Sequence, residues 1–536
     1  MQQFVAKSFL SLSKFHYLCT QTTEIMIRKT IVAAAMLAAC STATGQVEVR
    51  TEAQVTAASG DHNPLWLNAN KYGLSSLDKT NGYVRAGAFR SKDNDSAKTW
   101  RWGAGLDVAV AGGFTSTAVV QQAYGEVQWK KGLLTLGSKE QPMELKNQEL
   151  SSGPQTLGIN ARPLPGVRLS LPDYWTVPYT KGWLGLKGHI SYGMMTDDRW
   201  QEDFTQGLSK HTKHTKVHTK AGYLRIGKDA KPVSVELGLE MACQFGGSSY
   251  ADYTTHGLEW VDNEDGIKGM LRALIPSGGD AGEGIYENTS GNNLGSYLLR
   301  VNFNYDKWYL GVYADHFFED HSQMFFIDFD GYGQGEEFNE WEDNRWFVYD
   351  LKDMLIGAEL KLKKQHWLNS VVLEYVYTKY QSGPVYHDRT TSEPTHIGGR
   401  DGYYNHYIFT GWQHWGQAMG NPLYMSPLYN DDGSIEVKDN RFWAWHLGVS
   451  GNLLNGLHYR VLATYQKGYG SYYLPFPDPR HNVSIMGEAT YRFPSSSRLH
   501  GWHIKGALGL DKGKLLGDNI GVQVTIGKRF ELRTER

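Results

Sequence analysis

Strict two-residue alternation constrains this chain more than any other feature, and it is clearest in the stretch from Asn519 to Phe530. Ile520, Val522, Val524, Ile526 and Phe530 share one parity, while Gly521, Gln523, Thr525 and Gly527 share the other. Successive side chains of a strand point to opposite faces, so this segment has an apolar face ending in an aromatic and a face of small or polar residues. A transmembrane barrel strand needs that arrangement: lipid outside, a polar lumen inside, aromatics at the interface. The edge of a soluble sandwich alternates in the same way, and recurrence separates the two. Similar runs begin near Val47, Tyr83, Trp102, Ala118, Leu133, Val167, Trp183, Val217, Val233, Tyr297, Trp308, Met354, Ser370, Phe442, Leu457, Val483, Trp502 and Ile520. That makes about eighteen, an even number, as is usual for bacterial single-chain barrels.

The joints between runs segregate by length. Counting back from Phe530, which should end in the periplasm, one side receives short connections such as Trp129 to Gly132, Lys228 to Pro232, Asp306-Lys307, Lys363 to Asn369, Asn452 to Gly456 and Pro494 to Gly501. The other side receives long ones: Ser59 to Gly82, Glu140 to Gly166, Thr196 to Lys216, Cys243 to Ser296, Asp315 to Asp353, Lys379 to Arg441 and Gly468 to Asn482. Ser91 to Thr99 and Pro172 to Lys181 are somewhat longer periplasmic joints, and Gly112-Gly113 and Asp511 to Asp518 are short outer ones. Outer-membrane barrels have short periplasmic turns and long extracellular loops, whereas a soluble sandwich has no reason to sort its joints. The expected fold class is therefore an all-β transmembrane antiparallel barrel of about eighteen strands with long extracellular loops, one carrying a short helix.

Composition agrees. Aromatic residues make up 13% of the chain, there are 60 glycines, and the formal net charge of -2 offers nothing to nucleic acid. No segment after the leader approaches the roughly 18 consecutive apolar residues of a membrane helix. Residues 26–45 read as a signal peptide: Met26, then Arg28 and Lys29, an apolar run from Ile31 to Ala39, and small Ala43 and Gly45 before Gln46. Residues 1–25 are then an over-long start, and 46–536 the barrel with its loops. Leu37-Ala38-Ala39-Cys40 also fits a lipoprotein box, which would leave Cys40 lipidated. Beyond Cys19 and Cys40 only Cys243 remains, too few for an internal disulfide or a cysteine metal site.

Polar residues inside the runs share one face. His458, Arg460, Thr464 and Gln466 oppose Leu457, Tyr459, Val461, Ala463 and Tyr465, and Ser484, Glu488, Thr490 and Arg492 oppose Val483, Ile485, Ala489, Tyr491 and Phe493. An arginine at mid-depth in lipid costs roughly 2–4 kcal/mol, so Arg460, Glu488 and Arg492 are expected in the lumen, as a self-satisfying network.

Catalytic signatures are missing: there is no G-x-S-x-G, H-E-x-x-H or phosphate loop. His211, His214 and His218 would cluster on a helix, but the Thr/Lys-rich stretch favours a solvated loop. Asp328-Phe329-Asp330-Gly331 has its glycine too early for a calcium loop. No catalytic residue, metal site or cofactor is expected. In Asp265 to Ser277, Ile267, Met270, Leu271, Leu274 and Ile275 recur at helical spacing, with Asp265 as cap and Pro276 as stop. This short amphipathic helix is expected to be a lid or constriction over the lumen.

Several segments resemble the Wzi-type capsule-assembly proteins, particularly those of Bacteroidetes. They are Asn63-Pro64-Leu65-Trp66-Leu67-Asn68-Ala69-Asn70-Lys71-Tyr72-Gly73, Ser151-Ser152-Gly153, Asn160-Ala161-Arg162-Pro163-Leu164-Pro165, Gly399-Arg400-Asp401-Gly402-Tyr403-Tyr404-Asn405-His406, Gly411-Trp412 and Gly420-Asn421-Pro422. The resemblance implies an outer-membrane barrel that binds capsular polysaccharide and helps attach it to the cell surface, a lectin-like and non-enzymatic role. Its partners would be capsular polysaccharide and outer-membrane lipid. A diffusion channel and an outer-membrane hydrolase are the alternatives.

The outer loop from His387 to Tyr429 combines flat aromatics with planar hydrogen-bonding groups, which suit sugar ring faces and hydroxyl rims. Arg400, Asp401, Tyr403, Tyr404, Asn405, His406, Trp412 and Trp415 are the polysaccharide-binding candidates. The same aromatics would serve equally as packing for a plug or as part of an interfacial girdle. For the leader, N-terminal mass spectrometry should find Gln46 first, and a lipidated Cys40 would overturn the cut after Gly45.

Overall fold

The protein's computed structural model describes residues 46–228, 231–252, 257–276, 290–319, 331–332, 340–342, 353–381 and 402–533. Eighteen strands form one antiparallel sheet, here numbered in chain order: β1 (Gln46–Ser59), β2 (Thr80–Arg90), β3 (Trp100–Gly112), β4 (Ala118–Trp129), β5 (Gly132–Ser138), β6 (Gly166–Thr176), β7 (Leu184–Met194), β8 (Lys216–Ile226), β9 (Val233–Phe245), β10 (Asn292–Asn304), β11 (Trp308–Glu319), β12 (Met354–Leu362), β13 (Ser370–Tyr377), β14 (Phe442–Leu454), β15 (Leu457–Gly470), β16 (Pro475–Arg492), β17 (Trp502–Gly513) and β18 (Asn519–Arg533). Each pairs with its chain neighbours, and β1 pairs with β18 from Gln46↔Arg533 to Ser59↔Ile520. The sheet thus closes on itself and leaves no edge.

The wall follows the alternation. In β18, Val522, Val524 and Ile526 are 46%, 40% and 44% exposed, whereas Gln523 and Thr525 are 3% and 0% exposed. Only a lipid-facing exterior makes such a surface tolerable: apolar residues cover the outside of the closed ring while polar ones fill its inside. At the turn end, Trp100, Trp129, Trp183, Trp308, Trp367 and Trp502 stand exposed, with Trp100 and Trp129 stacked at 5.8 Å. Trp443, Trp445, Tyr465 and Tyr375 pair off on the outer surface towards the loop end. These form the two aromatic belts.

Several boundaries depart from the sequence reading. β6 continues past Pro172 to Thr176, because the ladder skips the proline and its neighbours between Leu171 and Trp175 and then resumes. The joint expected between Gly468 and Asn482 is a short hairpin, since β15 and β16 keep pairing up to Gly470↔Pro475. Main-chain pairing there runs beyond the apolar stripe, so alternation gives no sign of it. The strands near Val167 and Val217 are both present.

Among the described residues three α-helices interrupt the loops: α1 (Leu65–Asn68), α2 (Asp198–Thr205) and α3 (Gly266–Leu274). Asp265 caps α3 through Gly266 N, but α3 is not a lid over the lumen. It lies against β8 and β9, on residues of the outward parity: Ala273 packs with Cys243, Phe245 and Tyr192. Tyr192 sits opposite His218 and Cys243 opposite His218 in the ladder, so all three point outward. The helix therefore rides on the outside of the wall, where the outward face carries His218 and Lys220 rather than plain aliphatics.

The lipid face predicts a specific cost. Val524→Arg should lower the unfolding free energy in lipid vesicles by about 2–4 kcal/mol in a urea titration. An inward Thr525→Val should cost less, about 1 kcal/mol for its hydrogen bond to Gln54 Oε1.

Candidate functional site

The lumen towards the loop end is filled by the loops themselves. One buried core joins Leu65, Trp66 and Leu67, Leu150, Met195, Tyr403, Tyr404, Trp412, Leu423 and Tyr424 to inward residues of the wall such as Phe317, Val376 and Phe442. The contributing loops follow β1, β5, β7 and β13, far apart in sequence. Trp66 shows how the plug is fixed to the wall: its ring lies 4.9 Å from that of His446, and its Nε1 donates to Thr464 Oγ1 at 3.1 Å. Leu67 fits because Gly509 and Gly521 leave no side chain in its way.

The segments that carry the family resemblance meet one another here. Asn70 N donates to Asn160 Oδ1 at 3.0 Å, and Asn70 Nδ2 donates to Ser152 O at 3.0 Å. Asn160 Nδ2 donates to Ala418 O at 2.8 Å, and Asn421 Nδ2 donates to Gly153 O at 2.8 Å. Ser151 and Ser152 tie this knot to the wall through Glu374 of β13, which accepts from both hydroxyls and from Ser152 N. Side-chain amides suit this work because each supplies donors and an acceptor to backbone that no strand pairs.

The candidate residues are distributed unequally. Tyr403, Tyr404 and Trp412 are fully buried. Tyr403 donates to Asp353 Oδ2 at 2.9 Å; Tyr404 donates to Gln155 O, accepts from Asn421 N at 2.9 Å and stacks on Tyr424 at 4.0 Å. Asn405 spends its amide on Val437, donating to its O at 3.0 Å and accepting from its N at 2.8 Å. His406 is buried, and its Nδ1 accepts from Ile408 N and Phe409 N. Trp415 keeps part of its ring open, with the Arg162 guanidinium 4.4 Å over one face and Asp197 holding its backbone N–H at 2.9 Å. Tyr407, next to His406 in the same loop, is exposed. Arg400 and Asp401, like Asp388 and Arg389, lie outside the described residues.

Electrostatics follow burial. Burial pushes the His406 imidazole down to about 3 and also lowers His414, so both are neutral parts of the plug. Burial raises the Asp353 carboxyl to about 6 and Asp439 to about 7, against the pull of the N–H groups they accept from. Among the described residues no three His, Cys, Asp or Glu side chains converge as for a metal. His211, His214 and His218 are not one solvated loop: His211 packs on Trp260 at 5.2 Å, and His218 is buried in β8 with its ring 4.4 Å from that of Tyr192. The Asp328 stretch lies outside the described residues apart from Gly331.

Sequence reasoning missed one exposed group. A small sheet of residues 211–213, 248–252 and 258–262 brings Trp260, Tyr250 and Lys213 together, with Lys213 Nζ 4.9 Å over the half-exposed Trp260 ring. Its strands come from two different loops, so no local pattern announces it.

Deeper in the lumen the charges pair. Arg460 Nε donates to Glu488 Oε1 at 2.9 Å, Lys505 lies 3.7 Å from the same carboxylate, and Arg300 pairs with Glu359. Arg460 and Glu488 thus form the expected network, while Arg492 lines a cavity of about 740 Å³ at the turn end.

A closed eighteen-strand barrel with a lipid-facing belt, sorted joints and a loop-built plug is an outer-membrane β-barrel, with the loop end outside the cell. The fold is similar to that of Wzi, an outer-membrane protein involved in group 1 capsule assembly in Escherichia coli, described as a carbohydrate-binding β-barrel: 14% identity over 95% of this chain and 88% of that one, TM-score 0.53. Pseudomonas aeruginosa OccK5 (8% identity, 91% and 98% covered, TM-score 0.44) and Acinetobacter baumannii OccAB4 (10%, 91% and 99%, 0.43) also align, at scores too low to argue from. No protein-family model matches the sequence, and no curated protein does.

Gly420 is a sensitive joint: a Cβ there would lie 1.9 Å from Tyr404 Oη and 2.4 Å from Gln155 O. Gly420→Ala should leave the barrel folded but unseat the plug, seen as new conductance in planar bilayers. A second prediction concerns pH. Because the folded-state value of His406 is depressed, its favourable contribution is complete above the unfolded value near 6.5 and is lost as pH falls towards about 3. The stability advantage of the parent over His406→Gln, read as the thermal midpoint of the heat-modifiable folded band, should therefore shrink between pH 7 and pH 4.5.

Proposed function

We propose that this protein holds capsular or exopolysaccharide at the cell surface and helps attach it there, as a non-enzymatic binder. The observation that carries the reading is the plug. A core of stacked and hydrogen-bonded aromatics occupies the lumen of the barrel, which suits a surface receptor and opposes an open diffusion path. What the outer end then offers a ligand is the half-exposed Trp260 ring beside Lys213, together with the partly open Trp415 ring, which the buried Arg162 guanidinium backs on one face. Such pairs match the apolar ring face and the hydroxyl or carboxylate rim of a sugar. Tyr407, exposed on the same loop as Trp415, adds a further ring. The role parallels the one that the resemblance to Wzi-type proteins implies.

Trp412 belongs to the scaffold in this reading. Trp412→Ala should cost about 3–5 kcal/mol of plug stability, so it does not report on binding. Trp415→Ala with Tyr407→Ala should weaken polysaccharide retention about five- to tenfold, or about 1–1.4 kcal/mol, with the amount of folded barrel unchanged. A deletion strain should shed its polymer into the medium while still making it. Discrete conductance steps from the parent protein would favour the channel, and product released from capsule or lipid would favour a hydrolase.

A further inference from the structure

Helix α3 on the outer wall has three faces. Gly269 and Ala273 are buried against the barrel, where a Cβ on Gly269 would come 3.2 Å from the Phe245 ring. Lys268 and Arg272 share a second flank, both paired to Glu264. The remaining flank is apolar and bare: Ile267, Met270, Leu271 and Ile275 are 78%, 39%, 58% and 68% exposed. Below it the wall continues in exposed Ile190, Leu237, Leu239 and Leu299.

The wall beneath α3 is built to receive it. Lys220 lies on the outward parity, opposite Ile190 and Met241 in the ladder, where a cation facing acyl chains is unfavourable. Its Nζ donates instead to Ala273 O, at 3.1 Å, and to Leu274 O. It thereby satisfies the last carbonyls of the helix and meets the negative end of its dipole. Tyr192, also outward, donates its hydroxyl to Met270 O at 2.9 Å. At the other end Lys216 pairs with Asp265.

We propose that α3 is an interfacial anchor lying flat in the outer leaflet, with Ile267, Met270, Leu271 and Ile275 among lipid acyl chains and the Lys268–Arg272 flank at head-group level. Two observations fix the occupant as lipid. The bare flank is continuous with the lipid-facing belt of the barrel, and the outward cations at the helix ends, Lys220 and Lys216, are consumed by the helix and its cap. A helix with small residues at its back, charges on one flank and large aliphatics on the other is matched to a plane between water and hydrocarbon. It would hold the long outer loop that carries it against the membrane, and so fix the height of the Trp260 platform on the same loop.

The test attaches bimane to Leu271→Cys in the full-length protein, reconstituted in phosphatidylcholine–phosphatidylglycerol vesicles. The parent, whose Cys243 is buried, gives the labelling background. Lipids carrying a nitroxide at carbon 5 should quench the label about twofold more than lipids carrying it at carbon 14, as expected for shallow insertion. Iodide should quench it far less than a label at Tyr473→Cys on the exposed outer hairpin. Lys220→Gln should raise iodide access at Leu271→Cys by releasing the helix end. Iodide access equal to that at Tyr473→Cys would overturn the proposal, placing the helix in water. Silence to both quenchers together with disulfide-linked dimers would also overturn it, by making a second copy the occupant. If Leu271→Cys does not assemble into a heat-modifiable barrel, Ile275→Cys at the end of the same flank is read by the same criteria.

Discussion

Everything in this structure depends on the requirement that no backbone N–H or C=O be left unpaired in hydrocarbon. Each such group costs several kcal/mol, and the pairing of β1 with β18 removes the last open edge. Closure at eighteen strands makes a ring too wide for its own inward side chains to fill. The interior must therefore be filled with water or with more protein. Here the loops turn back into it, and their irregular backbone brings its own unpaired groups. That is why the plug is rich in asparagine, glutamine, serine and threonine bonded to main chain, with Glu374 and Asp353 on or beside the wall accepting several donors each.

The plug also explains how residues that look like recognition groups become structure. Tyr403, Tyr404, Trp412 and Tyr424 carry the flat faces a sugar would use, but each finds a better-defined partner in the packed lumen than a solvated polymer would be. Tyr404 adopts a left-handed backbone conformation, φ 69°, as does Trp415 at φ 55°. Such conformations cost about 1–3 kcal/mol and persist where the surroundings over-determine them. For Tyr404 the surroundings are the stacked Tyr424, Gln155 O and Asn421 N. For Trp415 they are Asp197 and Arg162, which hold the ring at the boundary between plug and solvent.

The sequence by itself determined the barrel, its orientation, its strand number and the identity of the wall's two faces, because a period of two and a sorting of joints are local and linear properties. It also determined that a short helix lies within Asp265 to Ser277, where the structure has Gly266–Leu274. It did not determine which side of the wall that helix covers, because an amphipathic stripe reports that one flank is apolar and not whether protein or lipid lies against it. Lys220, Tyr192 and Cys243, from three strands, decide that. Nor did it separate plug from binding surface, since an aromatic paired with an amide reads the same whether its partner is a sugar or Gln155. Only the tertiary structure, by bringing loops hundreds of residues apart into one hydrogen-bonded core, decided which rings are spent inside and which remain exposed at the outer end.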